Sequence, residues 1–364
     1  MKLEKFNSHE IISWFQLNHK EHTEAMMKST HHYASDKLNP YHLEGDVWTH
    51  TCMVVNVANL MKYPDVVVAS SLLHDLGKPY VREVNHDTER VYFKNHEGVS
   101  FWEAISVVKQ LTDNVEKQKT ILKLVALHSS IFDNHRDGKF SKDFYKKFSK
   151  DKDFLELLKM QVISDSMGRF CYDLEDVREK FERIFDQEFY MNLNAEDFNP
   201  RVKKHDNTLT VLIGVPRSGK STWIAQNAND QVVISRDTSL VEYAQKKYNT
   251  KTYSEAFKSL SDDDQKAIDT IIGNQFSNAV KAGKDIVIDM TNMSKKSRRK
   301  WVSQYGGNTK AIVFATDMDE ISRRNEHDRK TIGKFIPQYV IDNMAKNFVF
   351  PQYDEFDEIE MIVT

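Results

Sequence analysis

Leu209-Thr210-Val211-Leu212-Ile213-Gly214-Val215-Pro216-Arg217-Ser218-Gly219-Lys220-Ser221-Thr222 runs from an apolar stretch through a glycine-bearing loop into a helix-forming segment. The apolar stretch reads as a buried strand, and Gly-Lys-Ser falls where the next helix begins. In that setting loop N–H groups and the helix N-terminus surround phosphates, Lys220 reaches the β and γ groups, and Ser221 ligates magnesium. Gly214, Ser218, Gly219, Lys220, Ser221 and Thr222 are therefore the expected contacts for ATP, or another nucleoside triphosphate, with Mg2+. A bare glycine turn between strand and helix would not require lysine and serine in this register.

Downstream, short apolar runs at 232–234, 285–288 and 311–314 alternate with helical segments. Strands alternating with helices imply crossover units and a parallel sheet. The run 232–234 leads into Ser235-Arg236-Asp237, which puts a carboxylate at the strand's C-terminal edge, where α/β sheets hold ligands. Asp237 there is placed to accept a proton from an attacking hydroxyl, or to cap the following helix. The run Lys295-Lys296-Ser297-Arg298-Arg299-Lys300 reads as a local basic patch or as a solvated helix face.

Upstream the texture differs. Of 14 histidines, all but His205 and His327 precede residue 200, and segments 99–111, 115–129 and 154–166 carry a helical apolar period. Only residues 90–93 resemble a strand. Residues 192–207 are polar, aperiodic and contain Pro200, as a linker would be. The expected organisation is multidomain: an all-α helical domain over 1–191, a linker over 192–207, and an α/β domain with a parallel sheet over 208–364. A chain of 364 residues exceeds what one hydrophobic core accommodates. No apolar run is long enough to span a bilayer, and no leader is evident, so a cytoplasmic protein with no membrane partner is expected. Cys52 and Cys171 form neither a metal pair nor a disulfide framework. The net charge of −3 argues against coating nucleic acid by bulk electrostatics.

In the first half, His74-Asp75 follows the apolar stretch 66–73 and precedes Leu76-Gly77-Lys78-Pro79, where glycine and proline end the helix. An adjacent His and Asp at such an end can reach one cation. Further ligand types stand on other predicted helices or their ends: His50, His96, His128 and Asp165. Imidazole and carboxylate donors together suit one or two divalent transition metals, Mn, Ni, Co, Fe or Zn. Lys78 would neutralise phosphate charge, or be a solvated turn residue. His31, His32, His42, His86 and His135 lie in polar or loop-like sequence and read as surface or structural.

Trp48-Thr49-His50, Leu72-Leu73-His74-Asp75-Leu76-Gly77-Lys78 and Ile163-Ser164-Asp165-Ser166 together resemble the HD phosphohydrolase superfamily, whose pattern is a His, a His-Asp pair and a distant Asp. That resemblance implies that His50, His74, Asp75 and Asp165 hold a first metal, with His96 and His128 as additional ligands in two-metal members.

The second half resembles the kinase domain of phage-type polynucleotide 5′-kinases, through the Gly214 to Ser221 loop, Arg236-Asp237, Asp289-Met290-Thr291-Asn292 with Arg298-Arg299, and Arg323-Arg324-Asn325 through Arg329 and Pro337. The resemblance implies Asp237 as general base, Lys220 and Arg324 as catalytic cations, and Arg324 and Arg329 on ATP phosphates. Arg236, Asp289, Thr291, Asn292 and Arg298 would bind the acceptor. Two positions depart from the pattern. Arg217 replaces a loop glycine, implying an unstrained backbone there or an added charge near the phosphates. Leu240 stands where the family has an arginine for the acceptor's phosphate, leaving that role to Arg236, Arg298 or Arg299.

The order of the two modules resembles the bifunctional end-healing enzymes of RNA repair. It implies phosphorylation of 5′-OH polynucleotide ends and removal of 2′,3′-cyclic, 2′- or 3′-phosphates, with RNA or DNA ends as partners and a ligase acting downstream. Two other expectations stand beside it: a nucleoside or nucleotide kinase fused to a nucleotide phosphohydrolase, and an ATP-switched regulatory or binding protein with a degenerate first module. The oligomeric state is not legible.

Overall fold

The helical period of the first half becomes a bundle in the computed structural model, which describes residues 7–33, 38–136, 139–172, 179, 181, 183–195 and 203–364. Its elements are α1 (Ser8–Asn18), α2 (Lys20–Lys28), α3 (Val47–Leu60), α4 (Asp65–Leu73), α5 (Lys78–Val81), α6 (His96–Leu111), α7 (Val115–Leu127), α8 (Ser130–Asn134), α9 (Lys142–Phe148), α10 (Lys152–Met167) and α11 (Gln187–Asn194). Two small antiparallel pairs interrupt them, β1 (Arg82–Val84) with β2 (Val91–Phe93), and β3 (His135–Arg136) with β4 (Lys139–Phe140). The strand expected at 90–93 thus has a partner that sequence reading missed.

Helix α4 is buried on every side from Val67 to Leu73, so it runs through the bundle core rather than along its surface. Its C-cap is His74, and the chain therefore delivers His74-Asp75 to the interior. Asp46 caps α3 by accepting the Thr49 N–H at 2.8 Å, and Asn114 caps α7 by accepting the Lys117 N–H at 3.0 Å. Those caps set where His50 and His128 emerge.

The second half forms a five-stranded, all-parallel sheet in the order β6-β7-β5-β8-β9. Its elements are β5 (Thr208–Ile213), α12 (Lys220–Asn227), β6 (Val232–Ser235), α13 (Arg236–Tyr248), α14 (Tyr253–Ser259), α15 (Asp262–Lys281), β7 (Ile286–Asp289), α16 (Lys295–Val302), β8 (Asn308–Ala315), α17 (Met318–Thr331), α18 (Gln338–Lys346) and β9 (Glu358–Val363). The central strand β5 is apolar and buried from Leu209 to Ile213, as a strand covered on both faces must be. The edge strand β9 was not expected from the sequence. Its Glu358-Ile359-Glu360-Met361 alternation lacks the continuous apolar run of an interior strand, and its glutamates suit an exposed edge.

The chain divides into two compact units, Met1–Asn199 with Phe348–Asp354, and Pro200–Asn347 with Glu355–Thr364. Residues 348–354 interrupt the contiguous 208–364 domain expected from the sequence. Phe348 and Phe350 are buried in the helical unit, with the Phe348 ring 4.6 Å from that of Phe101, and the Phe348 carbonyl accepts from Asn95 Nδ2 at 3.1 Å. Of the expected linker 192–207, α11 extends to Asn194, and residues 196–202 lie outside the described ones.

Candidate active sites

In the helical unit, His74 ends α4, His128 ends α7, His96 opens α6, His50 lies within α3 and Asp165 within α10. Three of the imidazoles are locked in the same way. His74 Nδ1 lies 2.8 Å from Ser71 O, His96 Nδ1 2.8 Å from Phe93 O and His128 Nδ1 2.8 Å from Val125 O. A carbonyl oxygen only accepts, so Nδ1 carries the proton in each ring and Nε2 is left with its lone pair. For His74 and His128 the acceptor is a carbonyl in the last turn of the helix that carries them.

Those Nε2 atoms converge. His50, His74 and Asp165 form one group of potential metal donors, and Asp75, His96 and His128 a second, with ligand atoms within 4.8 Å of one another in each. Asp75 joins the two: Oδ2 is 3.3 Å from His74 Nε2 and 3.8 Å from His50 Nε2, whereas Oδ1 is 3.3 Å from His96 Nε2 and 3.8 Å from His128 Nε2. His96 Nε2 and His128 Nε2 face each other at 3.0 Å, and His50 Nε2 faces Asp165 Oδ1 at 3.0 Å. His74 Nε2 and Asp75 Oδ1 are buried with no hydrogen-bond partner. Buried donors left without a partner are costly unless a cation binds there, so the donor set fits divalent metal.

Charge around the cluster is balanced by nearby groups. Burial works against ionisation of Asp75, yet His74 and Lys78 hold its carboxyl well below the usual carboxylate range. Burial, aided by His96, pushes His128 down to about 4, which keeps it a neutral imidazole. Lys78 is buried, with Nζ 2.7 Å from Asp75 Oδ2 and 3.1 Å from His31 Nε2, so the reading of a solvated turn residue fails. Gly77 is required beside it, because a Cβ there would meet His96 O at 2.3 Å.

Sequence reasoning missed three residues here. His31, expected to be surface or structural, is buried with its Nε2 3.1 Å from Lys78 Nζ. Glu44 Oε1 lies 3.0 Å from His50 Nδ1, an ion-pair approach to that ring without the hydrogen-bond geometry of the other three. Arg169 Nη2 approaches Asp165 Oδ1 to 3.8 Å. The only sequence signal for Glu44 is its place two residues before the α3 cap. His42 is also partly buried, 2.8 Å from Glu44 Oε1, whereas His86 is exposed and the His135 side chain lies outside the described ones. His31, His42 and Glu44 form a third donor group, but the His31 and His42 rings stack at 4.2 Å and 13°, which does not aim their in-plane lone pairs at one point.

In the α/β unit the loop from Gly214 to Ser221 joins β5 to α12 and floors a cleft of about 1250 Å3. Gly214 is necessary, since a Cβ would meet Ser218 Oγ at 2.6 Å, and Gly219 adopts φ +101°. Lys220 Nζ donates to Gly214 O and Val215 O, each at 2.8 Å, and burial pulls its ammonium down to about 8 against the opposing pull of Asp289 and Asp237. Ser221 and Thr222 line the cleft. Arg217 has φ +70°, which overturns the unstrained-backbone reading and costs about 1 kcal/mol. Its guanidinium turns from the loop to Asp328 Oδ2 at 2.5 Å.

Strand register places Ser235 opposite Asp289, and Leu212 opposite the same Asp289, so Asp289 at the end of β7 and Asp237 just beyond β6 lie beside the phosphate loop. Asp237 is in the first turn of α13 but makes no cap; Ser235 holds the N-cap position without a side-chain bond. Instead Asp237 accepts from Lys334 Nζ at 2.6 Å and from Tyr253 OH at 3.2 Å at the cleft wall. Burial raises the Asp289 carboxyl, with Lys220 and Ser235 opposing. Thr291 O accepts the Gly214 N–H at 3.0 Å, and buried Asn292 donates to Leu212 O at 2.9 Å, so both shape the loop while lining the cleft.

Three expected contacts go elsewhere. Arg298 is fully buried, paired through Nε and Nη2 with Glu355 at 3.0 and 2.8 Å and donating to Asn292 O and Met293 O, so it braces the acceptor-side loop and does not face the cleft. Arg329 pairs with Glu326 at 2.8 Å, more than half exposed and outside the cleft lining. Arg236 lines the cleft but is held by Asp269 and by Gln265 Oε1. Arg324 is placed as expected beside the loop, its Nη1 donating to Arg217 O at 2.9 Å. Arg323, Lys334 and Tyr253 also line the cleft and were not anticipated for it, and Lys300, from the run read as a basic patch or a solvated helix face, lines it as well.

Residues 209–351 match the family model described as an AAA domain. Among solved structures, a chain of the Pnkp1/Rnl/Hen1 RNA repair complex matches at 23% identity and TM-score 0.33, covering 39% of this chain and 44% of that one. The chain thus spans less than half of that protein's length. A sugar kinase from Janibacter sp. HTCC2649 matches at 15% identity and TM-score 0.31, covering 43% of this chain and 85% of that one. Among the described residues no helix is long and apolar enough to cross a membrane. The matched segment carries its Gly-Lys-Ser loop at the end of the central strand of a parallel sheet, in a chain whose first unit is helical.

Proposed function

We propose that this chain heals nucleic-acid ends: the α/β unit phosphorylates a 5′-OH with ATP, and the helical unit, an HD-type phosphohydrolase, removes a 2′,3′-cyclic, 2′- or 3′-phosphate, in RNA repair. The observation that carries this reading is that one chain holds both a six-donor histidine and aspartate cluster and a phosphate loop flanked by Asp237.

In the kinase reaction the acceptor oxygen attacks the γ-phosphorus, its proton passes to the Asp237 carboxylate, and the bond to the β,γ-bridging oxygen breaks to leave ADP. Lys334 and Tyr253 orient that carboxylate. Lys220, leaving its loop carbonyls, and Arg324 offset charge on the transferring group, and Ser221 would hold magnesium.

In the helical unit His50, His74 and Asp165 would hold one divalent ion and Asp75, His96 and His128 a second, and bound ions would supply Lewis-acid activation of water and phosphate. Lys78, fixed by Asp75 and His31, and Arg169 bring positive charge to the substrate phosphate. Glu44 pairs with the His50 ring, so Glu44→Ala is expected to weaken divalent-metal affinity about 10- to 100-fold while leaving every donor in place, as read by metal titration of the purified protein. Unchanged affinity would mean that Glu44 serves only packing.

An RNA strand bearing a 5′-OH and a 2′,3′-cyclic phosphate, incubated with ATP and each of several divalent metals and followed by mass spectrometry at both ends, tests the whole reading. Gain of phosphate at one end and its loss from the other is expected. A second reading, a nucleoside kinase fused to a nucleotide phosphohydrolase, is favoured by apolar Leu240 on the acceptor side of the cleft. Phosphorylation of a free nucleoside but not of the RNA would select it.

A further inference from the structure

The cations that line the nucleotide cleft are, with one exception, already engaged. Arg217, Arg236, Arg323, Arg324 and Lys334 each face a carboxylate, and Lys220 is bonded to its own loop. Lys300 has no carboxylate partner among the described residues; its ammonium rests over the Trp301 ring, 4.5 Å from the centroid. An ammonium on a cleft wall with no acid to neutralise it is free to meet an anion.

Its place in the fold says which anion. Lys300 is on α16, which follows β7, and Asp237 follows β6; the sheet order β6-β7-β5-β8-β9 puts both on the same side of the phosphate loop. Phe314, Ile362 and Thr364 line the cleft on the β8 and β9 side. The side holding the candidate base is the acceptor side, and there Leu240, almost fully buried, offers no charge to a phosphate. Helix α16 is anchored by buried Arg298, Trp301 and Val302, with Arg298 clamped by Glu355, and it carries Ser297 and exposed Lys300 on the cleft wall. It contains no acidic residue.

We propose that Lys300 binds the phosphate on the 3′ side of the acceptor nucleotide, the first backbone phosphate of a 5′-OH strand, so that acceptor recognition comes from α16 rather than from the α13 position occupied by Leu240. This assignment rests on the polynucleotide-kinase reading. A compact ammonium acts on phosphate as a point charge, so its contribution is to affinity and salt dependence and not to the chemical step.

The experiment compares wild type, Lys300→Ala and Lys300→Arg with ATP and three acceptors: a 5′-OH oligonucleotide, a nucleoside 3′-phosphate and the unphosphorylated nucleoside. Lys300→Ala is expected to raise KM about tenfold for both phosphate-bearing acceptors, with kcat, KM for ATP and turnover of the bare nucleoside unchanged. The salt dependence of oligonucleotide binding, followed by fluorescence anisotropy, should lose about 0.7 from its log–log slope, the share of one single-strand phosphate contact. Lys300→Arg should restore both. An unchanged oligonucleotide KM in Lys300→Ala, or an equal loss on all three acceptors, overturns the assignment alone. A wild-type protein that phosphorylates the nucleoside but no oligonucleotide overturns the polynucleotide reading, and Lys300 with it.

Discussion

Lys220→Ala and Asp237→Asn should each cut 5′-end phosphorylation by about a hundredfold or more while removal of the terminal phosphate at the other end continues. The magnitude follows from the roles. In the proposed reaction Lys220 would bring a full charge to the β and γ phosphates and Asp237 would take the acceptor's proton, so both would act in the transition state, where several kcal/mol are at stake. The independence follows from the division into two units, each with its own core and its own cluster of reacting groups. The measurement is a paired assay of both ends on one RNA substrate, with circular dichroism to establish folding. Loss of both activities in a folded Asp237→Asn protein would show that the two reactions share a site.

The second large effect belongs to the histidine cluster. His74→Ala or Asp75→Ala should abolish phosphate release and strip bound transition metal, while magnesium-dependent kinase activity persists. Asp75 offers one oxygen to each donor group, so its loss dismantles both, whereas His96→Ala or His128→Ala should lower metal content from about two toward one per chain. Elemental analysis of the purified variants reads this without reference to activity. Full metal occupancy in both His74→Ala and Asp75→Ala would remove these residues from the ligand set, and unchanged stoichiometry in the His96 and His128 variants would return those two to a packing role.

Much of the site was legible in the sequence because its residues sit at predicted element ends. The Gly214 to Ser221 loop follows a strand and opens a helix, and His74-Asp75 closes an apolar helix, so local pattern and the candidate sites coincide there. Residues whose role depends on a distant partner were misread. Arg298 belongs to a motif that looks like an acceptor site, yet Glu355, fifty-seven positions later, captures its guanidinium and buries it. His31 lies in polar sequence, yet it is buried because Lys78 comes to it across forty-seven positions. Arg217 carries a charge that the loop pattern points at the phosphates, and Asp328 on α17 turns it away.

The sequence by itself determined the change from helical to α/β texture, the strand–loop–helix around Gly214 to Ser221, and the six histidines and aspartates that the fold brings into two groups, because these rest on periodicity, helix ends and short-range spacing. Only the tertiary structure decided which atoms face one another: that His74, His96 and His128 spend Nδ1 on backbone carbonyls and so turn Nε2 inward, that one carboxylate of Asp75 spans both donor groups, and that Lys300 is left without an acid on the acceptor side. The physical reason is that charge pairing and lone-pair direction are settled between side chains brought together by folding, over separations that no local pattern records.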